Sequence, residues 1–278
     1  MKKRIWTTIA LILLFLGGLS VLLYPAISDY INSQSQSRAI SDYSEALAQL
    51  SEIDYSEMLE AAHRYNEALL TNPARFAMND SEKAEYFSIL DFSGTGVIGT
   101  LQIDAIKVNL PIYLGTEENT LQVGIGHLEG SSFPIGGKAT HSVISGHRGL
   151  PSSTLLTDAD KLVMGDVFVL KILNETLYYE IEKSFIVLPE NLDNLRIDPN
   201  EDYCTLVTCT PVGVNSHRLL LRGKRIFPDG EEETLRSRNL RADARPAGIF
   251  VQYAIAAVPV VIAALILMLV QSKKSKKS

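Results

Sequence analysis

The chain has 278 residues, 46% of them hydrophobic, and a formal charge of −6. That charge hides an asymmetry. Seven basic residues sit at the two chain ends, and without them 19 basic residues face 32 acidic ones. So acidic a middle argues against nucleic acid as a partner; solubility accounts for it, and attraction for a cationic substrate would draw on the same charge.

Residues 5–24 carry no charge and follow Lys2, Lys3 and Arg4. About 20 apolar residues suffice for a membrane-spanning helix. The apolar run is longer than a signal peptide's, and no small-x-small cleavage site follows it, so an uncleaved anchor is expected. Residues 247–270 are also uncharged and precede Lys273, Lys274, Lys276 and Lys277. Basic clusters at both outer ends put both termini in the cytoplasm and the intervening chain outside the cell.

Residues 28–37 are polar, with Ser-Gln repeats, and read as a membrane-proximal linker. Between about residues 40 and 70, apolar residues recur at spacings of three and four, which predicts helix, with Asp54 or Ser56 capping a break. Asn72-Pro73 ends this region, and NPARFAMNDSEK (72–83) has no clean period; its proline, Phe76 and polar residues fit an ordered loop that could lie over something, and a connector is the simpler reading. His63 falls on the amphipathic part, where packing or solvent exposure explains it.

From residue 94 the texture becomes strands: 97–103, 106–114, 141–145, 167–173, 177–188, 203–209 and 219–227 are apolar or alternating, with glycine, proline and asparagine between them. Short helical turns fit near 153–161. Seven or eight strands in about 130 residues predict a mainly β chain with a closed or nearly closed barrel. The charged stretch 229–245 reads as a second linker.

The two cysteines, Cys204 and Cys209, lie on one predicted strand with opposite parity. They would be about 17 Å apart at roughly 3.4 Å per residue, whereas a disulfide needs Cα atoms within about 7 Å. Both are therefore expected as free thiols. With no C-x-x-C or clustered His/Cys spacing, no metal site is expected, and nothing calls for a cofactor. Cys209 ends an apolar strand before Thr210-Pro211, and Arg218 opens the next apolar run. A thiol at a strand exit near a guanidinium suits a nucleophile with an oxyanion partner; a cysteine buried in the core fits the same pattern. A nucleophilic cysteine needs a base or a positive neighbour. His127, His141, His147 and His217 are available, and His147, at a strand exit, suits Cys209 best.

TLVTCTP around Cys209, SGHRG around His147 and NSHRLLLRG around Arg218 together resemble the signatures of the sortase family. GIGHLEGSSFPIGG (124–137) and LLTDADKLVMGD (155–166) resemble its pilus-building class C. The resemblance covers roughly residues 85–227. It implies an eight-stranded sortase-type β-barrel with an N-terminal helical extension and a transmembrane helix at each end. The division expected is anchor 1–24; linker, helical extension and possible lid 25–91; catalytic barrel 92–228; linker 229–246; second span 247–270; and basic cytoplasmic tail 271–278.

The resemblance also implies a cysteine transpeptidase of Gram-positive cell surfaces. Cys209 would attack the Thr–Gly bond of an LPxTG-like sorting signal, His147 would act as general acid and base, and Arg218 would stabilise the oxyanion. The acceptor would be a lysine of another pilin. Class C lids usually carry Asp-Pro-aromatic; this chain has Asn72-Pro73-Ala74-Arg75-Phe76 there, without the aspartate or the adjacent aromatic. Three other readings remain: a housekeeping-type sortase attaching proteins to a peptidoglycan precursor, a non-catalytic tethered barrel with Cys209 buried, and a cysteine hydrolase.

Overall fold

The computed structural model of the chain describes residues 2–228; the second predicted span, the linker before it and the basic tail lie outside the described residues. Helix α1 (Lys2–Leu47) contains Pro25 and has an apolar N-terminal part with exposed side chains, Leu14 being 74% exposed. Among the described residues it is the one helix long and apolar enough to cross a bilayer, and it supports membrane attachment.

The polar stretch 28–37 is helix and not linker. Serine composition suggested flexibility, but Ser33, Ser35 and Ser37 turn their hydroxyls back onto the carbonyls of Tyr30, Ile31 and Ser33 and leave the helical ladder intact. The neighbouring amides have tertiary partners: Asn32 donates to the Ser152 carbonyl and Gln36 to the Val123 carbonyl. Among the described residues, 30–228 belong to one compact unit.

Helix α2 (Glu52–Leu69) starts one turn earlier than the cap expected from sequence. Ser51 is the N-cap and Asp54 its reciprocal partner, a capping box that satisfies two otherwise orphaned amides. Its buried face sets Asn66 against both the amide and the carbonyl of Phe133. Helix α3 (Asp80–Ser88) begins inside the stretch read as connector and runs five residues beyond it. Its signal was present as Asn79-Asp80-Ser81-Glu82, another capping box, but the helix is too short for periodicity to reveal.

Eight strands follow: β1 (Val97–Ile103), β2 (Val108–Leu114), β3 (Ile125–His127), β4 (Thr140–Ser145), β5 (Val167–Ile172), β6 (Glu175–Val187), β7 (Asp202–Thr210) and β8 (His217–Ile226). They close into a barrel in the order β1-β2-β3-β4-β7-β8-β6-β5, with β5 returning to β1. Closure removes the unpaired edges an open sheet would present. The pairs β2/β3 and β4/β7 are parallel and the others antiparallel. A short helix, α4 (Glu118–Val123), carries the chain across from β2 to β3.

Alternation along the strands divides their side chains between two faces. Ile144, Cys204, Leu206, Leu219 and Leu221 join the main core with Phe168, Ile98 and Leu101. Burying an aliphatic or aromatic side chain of this size contributes about 1.5–3 kcal/mol. The other face of β4, β7, β8 and β6 carries a second apolar cluster, described next.

Candidate active site

The β7 strand lies between β4 on one side and β8 on the other. Its register with β8 sets Cys209 directly opposite Arg218. Its register with β4 pairs Ser145 with Val207, and the next amide, Gly146, still donates to the Val207 carbonyl at 3.0 Å. β4 ends at Ser145, and His147 follows two residues on, as Cys209 follows Val207 on β7. Cys209 and Arg218 thus share one face of β7 and β8, and His147 lies two residues past the last pair of β4 with β7. Ser145, Val207, Leu220 and Phe185 form a row across the four strands.

On this face Val143, Leu195 and Leu220 form a buried cluster, with Phe76, Leu128, Phe185, Val187 and Val207 packed against it. The contribution of Phe76 corrects the reading of 72–83 as a connector. Arg75 fixes the segment by donating to the carbonyls of Gly130 and Leu195, both at 2.7 Å, and its guanidinium stacks 4.2 Å from the Phe76 ring. Gly130 permits this contact: its φ is +79°, and a Cβ there would come within 2.1 Å of the Arg75 carbonyl oxygen.

The two thiols differ as their strand parity requires. Cys204 is fully buried in the core, and desolvation, with the nearby Asp202 carboxylate, pushes its thiol well above the ordinary range. Cys209 is partly exposed, and both thiols are free. On the His147 ring, Nε2 is buried, makes no hydrogen bond, and lies 3.5 Å from Glu118 Oε1 of α4.

The loop after His147 is pinned from several directions. The Leu156 amide donates to the His147 carbonyl, Arg148 Nε donates to the Thr157 carbonyl at 3.1 Å, and the Arg148 guanidinium pairs with Asp160. Gly149 has φ +74°, and a Cβ there would meet Val212 Cγ1 at 2.3 Å, so a larger residue would force this loop off the β7–β8 turn.

The two candidate arginines also differ. Arg218 donates to the carbonyls of Asn215 and His217. Arg222 is engaged in an ion pair with Glu182 at 2.7 Å and stacks over Tyr203 at 4.5 Å.

The other barrel histidines have structural partners. His127 is fully buried; its Nε2–H donates to the Ser132 carbonyl, and its Nδ1 accepts from the Tyr86 hydroxyl, each at 2.9 Å. The Nδ1–H of His141 donates to the Arg196 carbonyl at 2.8 Å, and its Nε2 accepts from Thr205 at 2.7 Å. His217 pairs in register with Thr210 and faces the opposite side from Cys209. No grouping of His, Cys, Asp and Glu suited to a metal ion occurs among the described residues.

Burial pushes both His127 and His141 down to about 4. The unfolded chain would bind those protons near pH 6.5, so between about 6.5 and 4 it carries more protons than the folded protein. These two groups therefore lower stability as pH falls across that window, by on the order of 3 kcal/mol each at its acid end, and add nothing further below it. Urea midpoints measured from pH 7 to pH 4 should fall, and His141→Asn should flatten the slope; midpoints independent of pH would contradict the buried neutral assignment.

A barrel that sets a partly exposed thiol opposite an arginine, with a histidine just past the end of the next strand, defines a candidate cysteine acyl-transfer enzyme. The family model for the sortase domain matches residues 101–226. Sortase C1 from Streptococcus agalactiae is 48% identical, over 69% of this chain and all of that chain, with a TM-score of 0.67. Sortase C from Streptococcus pneumoniae is 39% identical over 68% of this chain and 97% of that one, with a TM-score of 0.62. The sortase D of Bacillus subtilis is 31% identical over 131 residues; the match takes in 46% of this chain and 63% of the relative, less than two thirds of its length. The chain belongs to the sortase family, in its class C.

Proposed function

We propose that this protein is a membrane-attached class C sortase: a cysteine transpeptidase that cleaves an LPxTG-like sorting signal and joins pilin subunits through isopeptide bonds to lysine. The observation that carries this reading is the partly exposed Cys209 directly opposite Arg218 on β7 and β8, with His147 just past the end of the neighbouring β4. For the pneumococcal relative, pilin substrate specificity has been described. The sorting signal lies along the apolar cluster of Val143, Val207, Leu220 and Phe185, which leads to Cys209. Phe76 occupies that cluster, so a bound signal displaces the segment held by Arg75. The catalytic barrel lies outside the cell and both termini lie in the cytoplasm, a topology that the basic clusters at the chain ends support.

The Cys209–His147 pair shares one proton. At attack the proton is on His147, and the Cys209 thiolate adds to the threonine carbonyl carbon of the signal. Arg218 donates to the developing oxyanion from its planar fork. The C–N bond to glycine then breaks, and the leaving amine takes the proton from His147. A neutral lysine amine adds to the thioester, the C–S bond breaks, the thiolate is restored, and His147 takes the proton of the new amide nitrogen. Atoms and charge return to the starting state.

Transfer distinguishes this enzyme from a hydrolase. Adding hydroxylamine or a pilin lysine peptide should divert product from free acid to hydroxamate or amide, with loss of sorting-signal peptide unchanged or faster. If free acid were still the product at saturating amine, the cysteine hydrolase reading would replace this one.

Arg218→Lys keeps the charge but loses the fork, and kcat should fall severely, by about 10² or more on the scale of a lost oxyanion donor. Arg222→Lys should be milder, since Arg222 is held by Glu182 and Tyr203. Steady-state kinetics of both variants check the ranking; the reverse order would move the oxyanion role to Arg222.

A further inference from the structure

The reverse face of the same strand end carries a second concavity. A pocket of about 440 Å³ is lined by Thr210, Pro211 and Val212 at the end of β7 and by Ile186 of β6, with Leu219 at its floor and the Arg148–Asp160 pair on its wall. Its volume falls within the range of peptide-sized and small-ligand sites. Ile186 is 66% exposed and Val212 47% exposed, so two aliphatic side chains stand at its rim in water. Neither is used by the sorting-signal cluster, which occupies the opposite face of the sheet.

A transpeptidase must bring two peptides to one thioester carbon. The first lies on the outer face and ends at Cys209. The second has to arrive from another direction, and the pocket wall begins at Thr210, the next residue in the chain.

We propose that this pocket is the acceptor site, and that it takes a lysine-bearing peptide segment with an apolar residue immediately next to the lysine. In an extended segment, adjacent side chains point to opposite sides. With the segment crossing Thr210 and Pro211, the lysine points over the strand end to Cys209 while its neighbour points down between Ile186 and Val212. The flexible four-carbon stem of lysine lets the amine reach past the strand end. Asp160, half-exposed and held in place by Arg148, offers an acceptor to main-chain amides of the extended segment. This inference rests on the transpeptidase reading above.

The test separates the two. Purified protein is supplied with a sorting-signal peptide and three acceptors: hydroxylamine, a lysine peptide with valine beside the lysine, and the same peptide with serine in that place. The wild type should use the valine peptide with a KM about tenfold or more below that of the serine peptide, the scale of burying one aliphatic side chain. In Ile186→Asp the KM for the valine peptide should rise to that of the serine peptide, with hydroxamate formation within about twofold of wild type, the spread of distant independent sites. Ile186→Val should keep the preference. If Ile186→Asp does not fold, Val212→Asp on the exposed turn is read in the same way.

An unchanged valine preference in a folded Ile186→Asp or Val212→Asp would overturn the proposal. So would equal losses with hydroxylamine and the lysine peptides, which would place the pocket in the thioacylation step. If the wild type gave no hydroxamate at all, it is the transpeptidase reading that would fail.

Discussion

Replacing Cys209 with alanine is expected to remove all cleavage of a sorting-signal peptide and all acyl-enzyme detectable by intact-protein mass spectrometry. The thiolate makes the bond that defines the intermediate, and no neighbouring group can substitute for it. Cys204→Ala should keep most of the activity. Cys204 sits in the barrel core, and removing its sulfur costs on the order of 1 kcal/mol of stability through lost burial and a small void. Alkylation of the native protein supplies an independent reading, because only the partly exposed Cys209 should react; the thiol of Cys204 is both buried and held protonated. Equal loss of activity in both alanine variants, with both folded, would remove Cys209 from its role. An unreactive Cys209 would favour the non-catalytic barrel.

His147→Ala should lower kcat by about 10² to 10⁴, the usual contribution of a general acid–base group. His217→Ala should have little effect, since His217 faces away from Cys209. His127→Ala and His141→Ala should act on stability instead, because each leaves buried hydrogen-bonding groups unpaired. Activity measured at a temperature where each variant is folded separates these cases. A larger kcat defect in His141→Ala than in His147→Ala would put the base at the other end of β4.

Much of the barrel was legible in the residues alone. Alternating apolar runs marked seven of the eight strands to within about two residues, and the parity of Cys204 and Cys209 on one strand already sent them to opposite faces. β3 escaped because three residues carry no period. The polar part of α1 escaped for a different reason: its Ser-Gln composition was read as linker, whereas here the serines fold back on the helix and Asn32 and Gln36 reach the carbonyls of Ser152 and Val123. The packing of Phe76 could not be read at all, since it depends on Arg75 finding two carbonyls far away in sequence, at Gly130 and Leu195.

The sequence by itself determined the types of group present: a thiol at a strand exit, an imidazole at another, a guanidinium at the start of the next strand, and an apolar span at the N-terminus. Local patterns suffice for these, because strand parity and helix length depend on near neighbours. Tertiary structure decided which groups meet. Cys209 and Arg218 face each other through the β7–β8 hairpin register, but the strand that leads to His147 is brought beside β7 by the parallel pairing of β4 with β7, across two intervening strands of the chain. Parallel pairing needs a long crossover and a register set by the packing of whole strands, so no short segment encodes it.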